Sequence, residues 1–487
     1  MSSPTETPSF LATRRGKALL ALLCVVAFLD FVDGSIVNVA LPTIERELHL
    51  PVSTLQWISS GYMLAYGGLL LLGGRLADLL GRRRVLITGT AIVGISSALG
   101  GLAETSGLLI GARIAQGFGA ALMLPAALSI LTTSFREGPD RNAALGAWGG
   151  AAGLASAAGV FLGGVLTQGP GWRWVFYVNT PVTLIVLAAV PALIPNDRRN
   201  EIRDGFDVFG TSLATGGLML LVYGLVQAPD RGWGDAMTIT ELAVAAALLI
   251  AFVINERFTT NPLVPLSIFR IKGLAAADLT HLMLAAGMLP MFFFVSLYMQ
   301  SVLGFGEFQA GSAYLPVSLT IGVAAGLATK LFPRIGTRPV IVGGALLCGV
   351  GLLWLSRIPT DGSYLGNLLP GMFVMSIGAG GVFVANTAAA NAGVEAERAG
   401  LAASLLSTAQ QIGGALGIAV LTAVATSHTT AQLAQGHPPL DATTSGFRLT
   451  LLIGGVFAVV AAGIGLCTAN TRGEAAATAE VAEPVAA

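Results

Sequence analysis

Four charged residues stand out within the long apolar runs of this chain, where a charged side chain needs a chemical reason, and three of them form one candidate group. Asp30 and Asp33 fall in a run near 17–40, and Arg113 falls in a run near 106–134. In a lipid bilayer such a side chain costs about 2.5 to 3.5 kcal/mol on insertion scales. Burial disfavours an ionised carboxylate and a nearby guanidinium favours it, so a change in their separation or hydration can load and release a proton. The set predicts a proton-coupling site; the alternative is a hydrogen-bonded pair with a structural role.

The helical spacing places these residues at similar depths. Asp30 and Asp33 are three residues apart and share one face of a helix, about 20 and 24 Å above Lys17. Arg113 lies about 10 Å below Ser106, which places it level with Asp30 in a hydrocarbon core of about 30 Å. We therefore expect one buried cluster, with Asp33 as the proton or cation site and Asp30 and Arg113 tuning it.

A second ionisable pair lies in the run near 273–302. Asp278 and His281 are one helical turn apart, about 9 to 14 Å above Lys272. They are candidates for a second proton site. The alternative is a carboxylate at the inner membrane interface that caps a helix or snorkels, with a hydrogen-bonded histidine as its neighbour.

The composition excludes a soluble protein. Of 487 residues, 54% are hydrophobic and 11% are charged, whereas soluble domains carry about 25% charged residues. The 26 basic and 26 acidic residues cancel, so no charge surplus indicates a nucleic acid partner. The expected partner is the lipid bilayer.

The apolar runs predict an all-α integral membrane protein. A span needs roughly 20 apolar residues. Fourteen runs reach that length, near 17–40, 54–74, 84–103, 106–134, 143–167, 173–194, 207–227, 238–256, 273–302, 309–330, 338–357, 364–391, 399–426 and 446–468.

A repeat divides these spans into two halves. Gly81, Arg83, Val85 and Gly89 match Gly336, Arg338, Val340 and Gly344 at a constant offset, as Lys17 matches Lys272. Two parallel six-helix halves are a transporter architecture with its site between the halves. The predicted segments are an N-terminal cytoplasmic tail 1–16, an N-terminal six-helix half 17–194, a cytoplasmic loop 195–206, two linker helices 207–256, a cytoplasmic loop 257–272, a C-terminal six-helix half 273–468 and a disordered cytoplasmic tail 469–487.

Basic residues in the loops predict the orientation. With both termini cytoplasmic, the 26 basic residues divide into 20 inside, 5 outside and Arg113 within a span. Cytoplasmic loops carry the excess of Lys and Arg, so both termini are expected in the cytoplasm.

Motifs for several enzyme and cofactor chemistries are missing from the sequence. There is no GxxxxGK[ST] loop for ATP and no HExxH helix, and the four histidines and three cysteines are scattered. The sequence predicts no cofactor, no bound metal and no enzymatic activity.

Four motifs together carry a family resemblance. They are GRLADLLGRRR at 74–84, RIAQG at 113–117, DGSIVNVALP at 33–42 and WRWVFYVNTP at 172–181. With these four motifs at these positions, the chain resembles the major facilitator superfamily and, within it, the fourteen-spanner drug:proton antiporters. One stretch departs from the pattern: AAGVFLGG at 157–164 has Val160 where the family's exporters have proline, which weakens the indication of export direction.

The resemblance implies roles for the motif residues. Asp33 matches the helix 1 motif and Arg113 the helix 4 motif, whose arginine is implicated in proton coupling. The stretch after helix 2 corresponds to the family's cytoplasmic gate, which helps to close the inner side. The gate residues implied are Gly74, Asp78, Gly81, Arg82, Arg83 and Arg84. Positive-inside placement is the alternative reason for the three arginines.

The glycines of the fifth predicted helix recur at four-residue spacing, which favours close helix packing. The pairs are Gly146 with Gly150, Gly149 with Gly153, and Gly159 with Gly163.

The expected function is proton-coupled efflux of amphipathic drugs or antibiotics by alternating access, in a bacterial plasma membrane and by a monomer. A dedicated exporter of one endogenous metabolite or antibiotic is the alternative within transport. A membrane-embedded enzyme and a passive channel are alternatives from other classes; the first lacks a catalytic cluster, and the second would conduct without saturation or proton dependence.

Overall fold

The computed structural model describes residues 10–135, 139–195, 207–260, 262–394 and 399–472, and within these ranges the chain is helical without a β-strand. The α-helices are α1 Arg14–Leu48, α2 Val52–Leu55, α3 Trp57–Leu80, α4 Arg82–Gly101, α5 Ser106–Ser134, α6 Pro139–Gln168, α7 Trp174–Tyr177, α8 Asn179–Leu193, α9 Val208–Arg231, α10 Ala236–Phe258, α11 Leu274–Leu297, α12 Glu307–Ala313, α13 Leu315–Ile335, α14 Thr337–Leu355, α15 Leu369–Asn391, α16 Ala399–Ala434 and α17 Pro439–Gly465. Short 3₁₀ turns occur at Phe10–Ala12 and Leu266–Arg270, and π-helical turns at Tyr298–Val302 and Tyr364–Leu368.

Twelve helical segments of the described chain are long and apolar enough to cross a membrane. The protein is therefore a multi-pass membrane protein. The sequence predicts fourteen spans, and the other two, 54–74 and 143–167, fall on α3 and α6, which contain residues whose side chains are not described. The count of fourteen stays a prediction.

The first helix carries two of the candidate site residues through the bundle. α1 begins where the Thr13 side chain accepts a hydrogen bond from the Gly16 N–H, and it ends at His49 in a left-handed conformation with φ of 52°. Asp30 and Asp33 lie near its middle and are buried. We call the face of the bundle at Arg14 the proximal face and the face at Leu48 the distal face.

The two copies of the repeated motif begin their helices in the same way. Gly81 precedes α4 with φ of 98°, and Gly336 precedes α14 with φ of 92°. These conformations favour glycine because a Cβ atom would be strained there. The repeat seen in the sequence therefore reflects a shared turn before a helix.

Close packing brings α3 and α5 together beside α1. A Cβ atom at Gly117 of α5 would collide with the carbonyl oxygen of Tyr62 in α3. Glycine at this position lets the two backbones approach, which places the tyrosines of α3 next to the charged residues of α1 and α5.

The glycine pairs of α6 differ from one end of the helix to the other. A Cβ atom at Gly159 or Gly163 would meet the backbone of α1, as their spacing predicts. At Gly146, Gly149 and Gly150 no described atom lies within 4 Å of such a Cβ, so the predicted close packing is wrong there. Gly153 lies outside the described side chains.

The two predicted halves contact each other at the distal face. The Glu307 Oε1 atom of α12 accepts hydrogen bonds from Thr43 Oγ1 and Arg46 Nη2 of α1, each at 2.9 Å. Gln300 donates to the carbonyl oxygen of Val39 at 3.0 Å. A Cβ atom at Gly164 of α6 would lie 2.8 Å from the carbonyl oxygen of Glu307. The distal ends of the halves are therefore held together in this conformation.

The predicted linker helices are attached to both halves through α9. Val222 and Val226 of α9 are buried against Leu64 of α3 and against Ala415 and Ala419 of α16. α10 packs on α9 and is mostly exposed, as expected of a helix that faces lipid.

The first residues of the predicted C-terminal tail 469–487 pack against α14. Thr337 donates through its hydroxyl to the Ala469 carbonyl at 2.8 Å and through its backbone N–H to Thr471 at 2.9 Å. Arg338 Nη2 donates to the Thr468 carbonyl at 2.8 Å. Residues 473–487, and 196–206 of the predicted loop 195–206, lie outside the described residues.

Candidate functional site

A buried ion pair lies at the centre of the candidate site. Arg113 Nη1 of α5 donates to Asp33 Oδ2 of α1 at 2.8 Å, and the side chains are only 2% and 4% exposed. Removing two charges from water costs several kcal/mol per ion, and only good geometry with further hydrogen bonds compensates for that cost. The pair should therefore have further partners, and it does.

Two amides complete the hydrogen bonding of Asp33. Its Oδ1 atom accepts from Gln116 Nε2 at 2.7 Å and from Asn179 Nδ2 of α8 at 2.6 Å. Gln116 Oε1 accepts from Arg113 Nη1 at 2.8 Å, and Gln116 Nε2 lies 2.6 Å from Ser97 Oγ of α4. Four helices, α1, α4, α5 and α8, thus supply one polar network.

The guanidinium group of Arg113 is fixed on its other side by α3. Its Nε atom donates to the Ile58 carbonyl oxygen at 3.0 Å. Its Cζ atom lies 4.1 Å from the centre of the Tyr62 ring, within the range of a cation–π contact. Arg113 is therefore held in one orientation, with its charge directed at Asp33.

Asp30 takes part in a separate contact one turn away on α1. Its Oδ2 atom accepts a hydrogen bond from the Tyr66 hydroxyl at 2.9 Å. Tyr66 packs edge-to-face against Tyr62 with ring centres 5.7 Å apart. The two carboxylates are thus linked through Tyr66, Tyr62 and Arg113, without an ion pair at Asp30 among the described contacts.

The structure brings the three predicted residues into one region and pairs Arg113 with Asp33. The helical rise places Arg113 level with Asp30, but its guanidinium group contacts Asp33 instead. A long flexible side chain spans more than one turn, so depth along a helix does not determine which carboxylate it reaches. The sequence reasoning did not select Gln116, Asn179, Tyr62 or Tyr66. The sequence could have indicated Gln116 and Asn179, because they belong to the motifs RIAQG and WRWVFYVNTP.

The second predicted pair lies in a polar cluster of the other half. His281 Nδ1 lies 3.2 Å from Asn386 Nδ2 of α15, and its Nε2 lies 3.3 Å from Gln410 Oε1 of α16. No described donor reaches either carboxylate oxygen of Asp278. Among the described residues, His281 therefore contacts the two amides and not Asp278.

The predicted gate residues lie near the proximal face. Gly74 is in α3, Gly81 forms the turn, and Arg82, Arg83 and Arg84 open α4. Arg82 Nη1 donates to Thr133 Oγ1 of α5 at 2.8 Å. The side chain of Asp78 lies outside the described part, so its expected contacts with these arginines are not described.

The arrangement can hold charge away from water and change its partners. Asp33 and Arg113 neutralise each other, whereas Asp30 has one neutral donor. A buried carboxylate without a counter-ion favours its protonated form. Chemically, the site suits binding and release of a proton or a cation.

The family model of the Major Facilitator Superfamily matches residues 23–418. The chain belongs to this superfamily. Two curated relatives are similar over most of their length. The puromycin resistance protein pur8 of Streptomyces alboniger is 38% identical over 89% of this chain and 87% of its own. The cephamycin export protein CmcT of Amycolatopsis lactamdurans is 39% identical over 87% of this chain and 88% of its own.

A solved transporter shares the fold of this superfamily member. A bacterial homologue of the human lysosomal transporter Spinster aligns with a TM-score of 0.68 at 16% identity, covering 93% of this chain and 97% of that one. The family points to a transporter and not to an enzyme.

Proposed function

We propose that this superfamily member is a proton-coupled exporter of amphipathic drugs or antibiotics that works by alternating access. The observation that carries the proposal is the buried Asp33–Arg113 pair with Asp30 one turn away. Ionisable groups inside a membrane protein are costly and mark ion or substrate pathways. Asp33, Asp30 and Arg113 form the coupling site of this proposal.

The relatives supply the substrate class. Puromycin and cephamycin appear in the names of two relatives, and a third is the tetracenomycin C resistance and export protein of Streptomyces glaucescens, 34% identical over 85% of this chain and 75% of its own. All three names concern antibiotic resistance or export. By similarity, the chain exports a compound of this class.

Alternating access requires two halves that move about a central site. We assign these halves to 17–194 and 273–468, with two linker helices at 207–256 and fourteen spans in total. The basic loops place both termini in the cytoplasm, so the proximal face is cytoplasmic and the membrane is the bacterial plasma membrane. The distal contacts between Glu307 and α1 then correspond to a state closed to the outside.

The proximal residues act in the opposite state. Gly74, Asp78, Gly81 and Arg82, Arg83 and Arg84 form the gate that closes the cytoplasmic side when the distal contacts separate. Such breakable contacts between helices are the bistable elements that a rocking transporter needs.

Asp278 and His281 are the second coupling site of this proposal. His281 is enclosed by Asn386 and Gln410, and among the described residues no donor pairs with Asp278. A proton on Asp278 would remove a charge that has no described counter-ion.

A dedicated exporter of one antibiotic is the second candidate function. It is favoured by the relatives' names, several of which carry a single compound. Substrate breadth distinguishes the two candidates, because a dedicated exporter moves one member of a chemically varied panel.

Transport into reconstituted vesicles tests the proposed function. An imposed pH gradient, acidic inside, should drive accumulation of ethidium, puromycin or a cephamycin, and a protonophore should abolish it. Accumulation of several compounds supports the multidrug exporter, and accumulation of one supports the dedicated exporter. Movement that ignores the gradient and does not saturate would contradict both in favour of a passive channel.

A further inference from the structure

Three donors bind the carboxylate of Asp33 and fill three of its about four acceptor positions. Its Oδ2 accepts from Arg113, and its Oδ1 accepts from both Gln116 and Asn179, at 2.6 to 2.8 Å. Charge-assisted bonds of this kind are about twice as strong as neutral ones. A proton on Oδ1 would have to displace a donor, and a proton on either oxygen would leave Arg113 without a buried counter-ion.

The carboxyl group of Asp30, in contrast, has one oxygen atom without a described donor. Its side chain is buried, with 6% exposure for the residue. Tyr66 donates to Oδ2, whereas no donor among the described residues reaches Oδ1. A buried acceptor without a donor costs about 1 to 3 kcal/mol, and more when it is charged. A proton on Oδ1 neutralises the buried charge and so lowers that cost, without displacing another donor.

In the described part of the chain, the groups next to Asp30 do not supply it with a counter-ion. From α3 it faces Tyr66 and the neighbouring Tyr62, and on α1 the nearest charge is Asp33. The cation on α5, Arg113, bonds to Asp33 and stacks on Tyr62. The ring of Tyr62 therefore lies between the guanidinium group and the Tyr66 side chain that holds Asp30.

We propose that Asp30 carries the exchangeable proton, that the Asp33–Arg113 pair is a fixed ion pair, and that Tyr66 is a positioning residue for Asp30. In the loaded form the proton is bound to Oδ1 while Oδ2 accepts the Tyr66 hydroxyl. Release of the proton leaves the Asp30 carboxylate, whose negative charge can be balanced by a cationic substrate. This assignment rests on the proposed function but differs from the sequence expectation, which places the proton on Asp33.

Infrared spectroscopy tests the assignment without a substrate or a gradient. The native protein in lipid should show the C=O stretch of a protonated carboxylic acid in acidic buffer and lose it in alkaline buffer. Asp30→Asn should remove this titrating band. Asp278→Asn is the matched control, because Asp278 is another carboxyl group without a described donor, and it should leave the Asp30 band in place. The bands of Asp278 and of exposed carboxyl groups should remain in Asp30→Asn. The assignment is overturned if the native and Asp30→Asn spectra show the same carboxylic acid bands, or if the band that Asp30→Asn removes does not titrate.

If Asp30→Asn fails to fold, Tyr66→Phe tests instead whether the titrating band belongs to Asp30. It removes one hydrogen bond to Oδ2 and keeps the ring, so the band of Asp30 should persist and shift to higher frequency. An unshifted band would belong to another carboxyl group and would overturn the assignment.

Transport separates this proposal from the proposed function. For a compound that the native protein exports, Asp30→Asn should lose accumulation driven by a pH gradient but retain exchange of labelled for unlabelled compound. Retained pH-driven accumulation in Asp30→Asn contradicts the role of Asp30 and leaves proton-coupled export intact. Absence of any transport by the native protein contradicts the proposed function and leaves the infrared result to decide which group binds the proton.

Discussion

Arg113 Nη1 donates to Asp33 Oδ2 at 2.8 Å between residues 80 positions apart in the chain. The contact joins α1 to α5, and the amides of Gln116 and Asn179 extend it within the same half. The network is therefore a structural element of this half as well as part of the candidate site.

Removal of one member of the pair should destabilise the protein. Asp33→Asn leaves the Arg113 guanidinium buried without its counter-ion, which costs about 3 to 5 kcal/mol in comparable pairs. Asp278→Asn removes a buried carboxylate that has no described donor, so it should change stability much less. Thermal unfolding in detergent checks this difference. Equal midpoints for the two variants would show that the ion pair does not stabilise the fold.

The position of the site could be predicted from the sequence, but its pairing could not. Asp30, Asp33 and Arg113 stand out because a charge in an apolar run is costly. Which carboxylate pairs with Arg113 depends on the packing of α3 against α5, because Tyr62 occupies the other side of the guanidinium group. That packing arises from residues distant in the chain, such as Gly117, whose role is visible only in three dimensions.

The helices and the repeat could also be predicted from the sequence. Apolar runs must form helices in lipid, because each backbone group needs a hydrogen-bond partner within its own segment. The matched Gly81 and Gly336 both adopt positive φ before a helix. The distal contact of Glu307 with Thr43 and Arg46 could not be predicted, because it joins the ends of two helices that lie far apart in the chain.

The distal ion pair should bias the conformational equilibrium. Glu307→Gln weakens the contact with Arg46 of the opposite half, and exposed pairs contribute about 0.2 to 1 kcal/mol. The population open at the distal face should rise by a factor of about 1.4 to 5. Spin labels at Gln168 and Gln309, with the native cysteines replaced, measure this opening as a longer distance between α6 and α12.

Glu47→Gln is the control for the distal pair. Glu47 accepts hydrogen bonds from Trp172 at 2.8 Å and from Arg173 at 3.3 Å, both within its own half. The Glu47→Gln variant should therefore leave the distances between the spin labels unchanged. The same shift in both variants would mean that the Glu307 contact has no specific role in closing the distal face.

A larger residue at Gly164 should force the distal ends apart. A Cβ atom there would lie 2.8 Å from the Glu307 carbonyl oxygen, and such overpacking costs about 1 to 3 kcal/mol. Gly164→Ala should raise the distally open population, as measured with the same labels. At Gly150 of the same helix no described atom lies within 4 Å of a Cβ, so Gly150→Ala should leave the distances unchanged. A shift in Gly150→Ala alone would contradict this account.

The turn before α14 should tolerate no side chain. Gly336 has φ of 92°, and a Cβ atom there would collide with the Asn470 side chain. The left-handed conformation alone costs a non-glycine residue about 1 to 2 kcal/mol. Gly336→Ala should therefore lower the thermal midpoint, whereas Gly343→Ala, inside α14 with open space around it, should not. Equal midpoints would show that neither the positive φ of Gly336 nor its close contact with Asn470 limits the side chain at this turn.

Proton movement during export tests the central claim most directly. Vesicles containing the protein are loaded with the compound that the native protein transports fastest, enclosed with a pH-sensitive dye and diluted into compound-free buffer at the same pH. Antiport predicts that the lumen becomes acidic as the compound leaves, beyond any change in protein-free vesicles, and that Asp30→Asn abolishes this acidification. Departure of the compound through the native protein without extra acidification would contradict proton-coupled export.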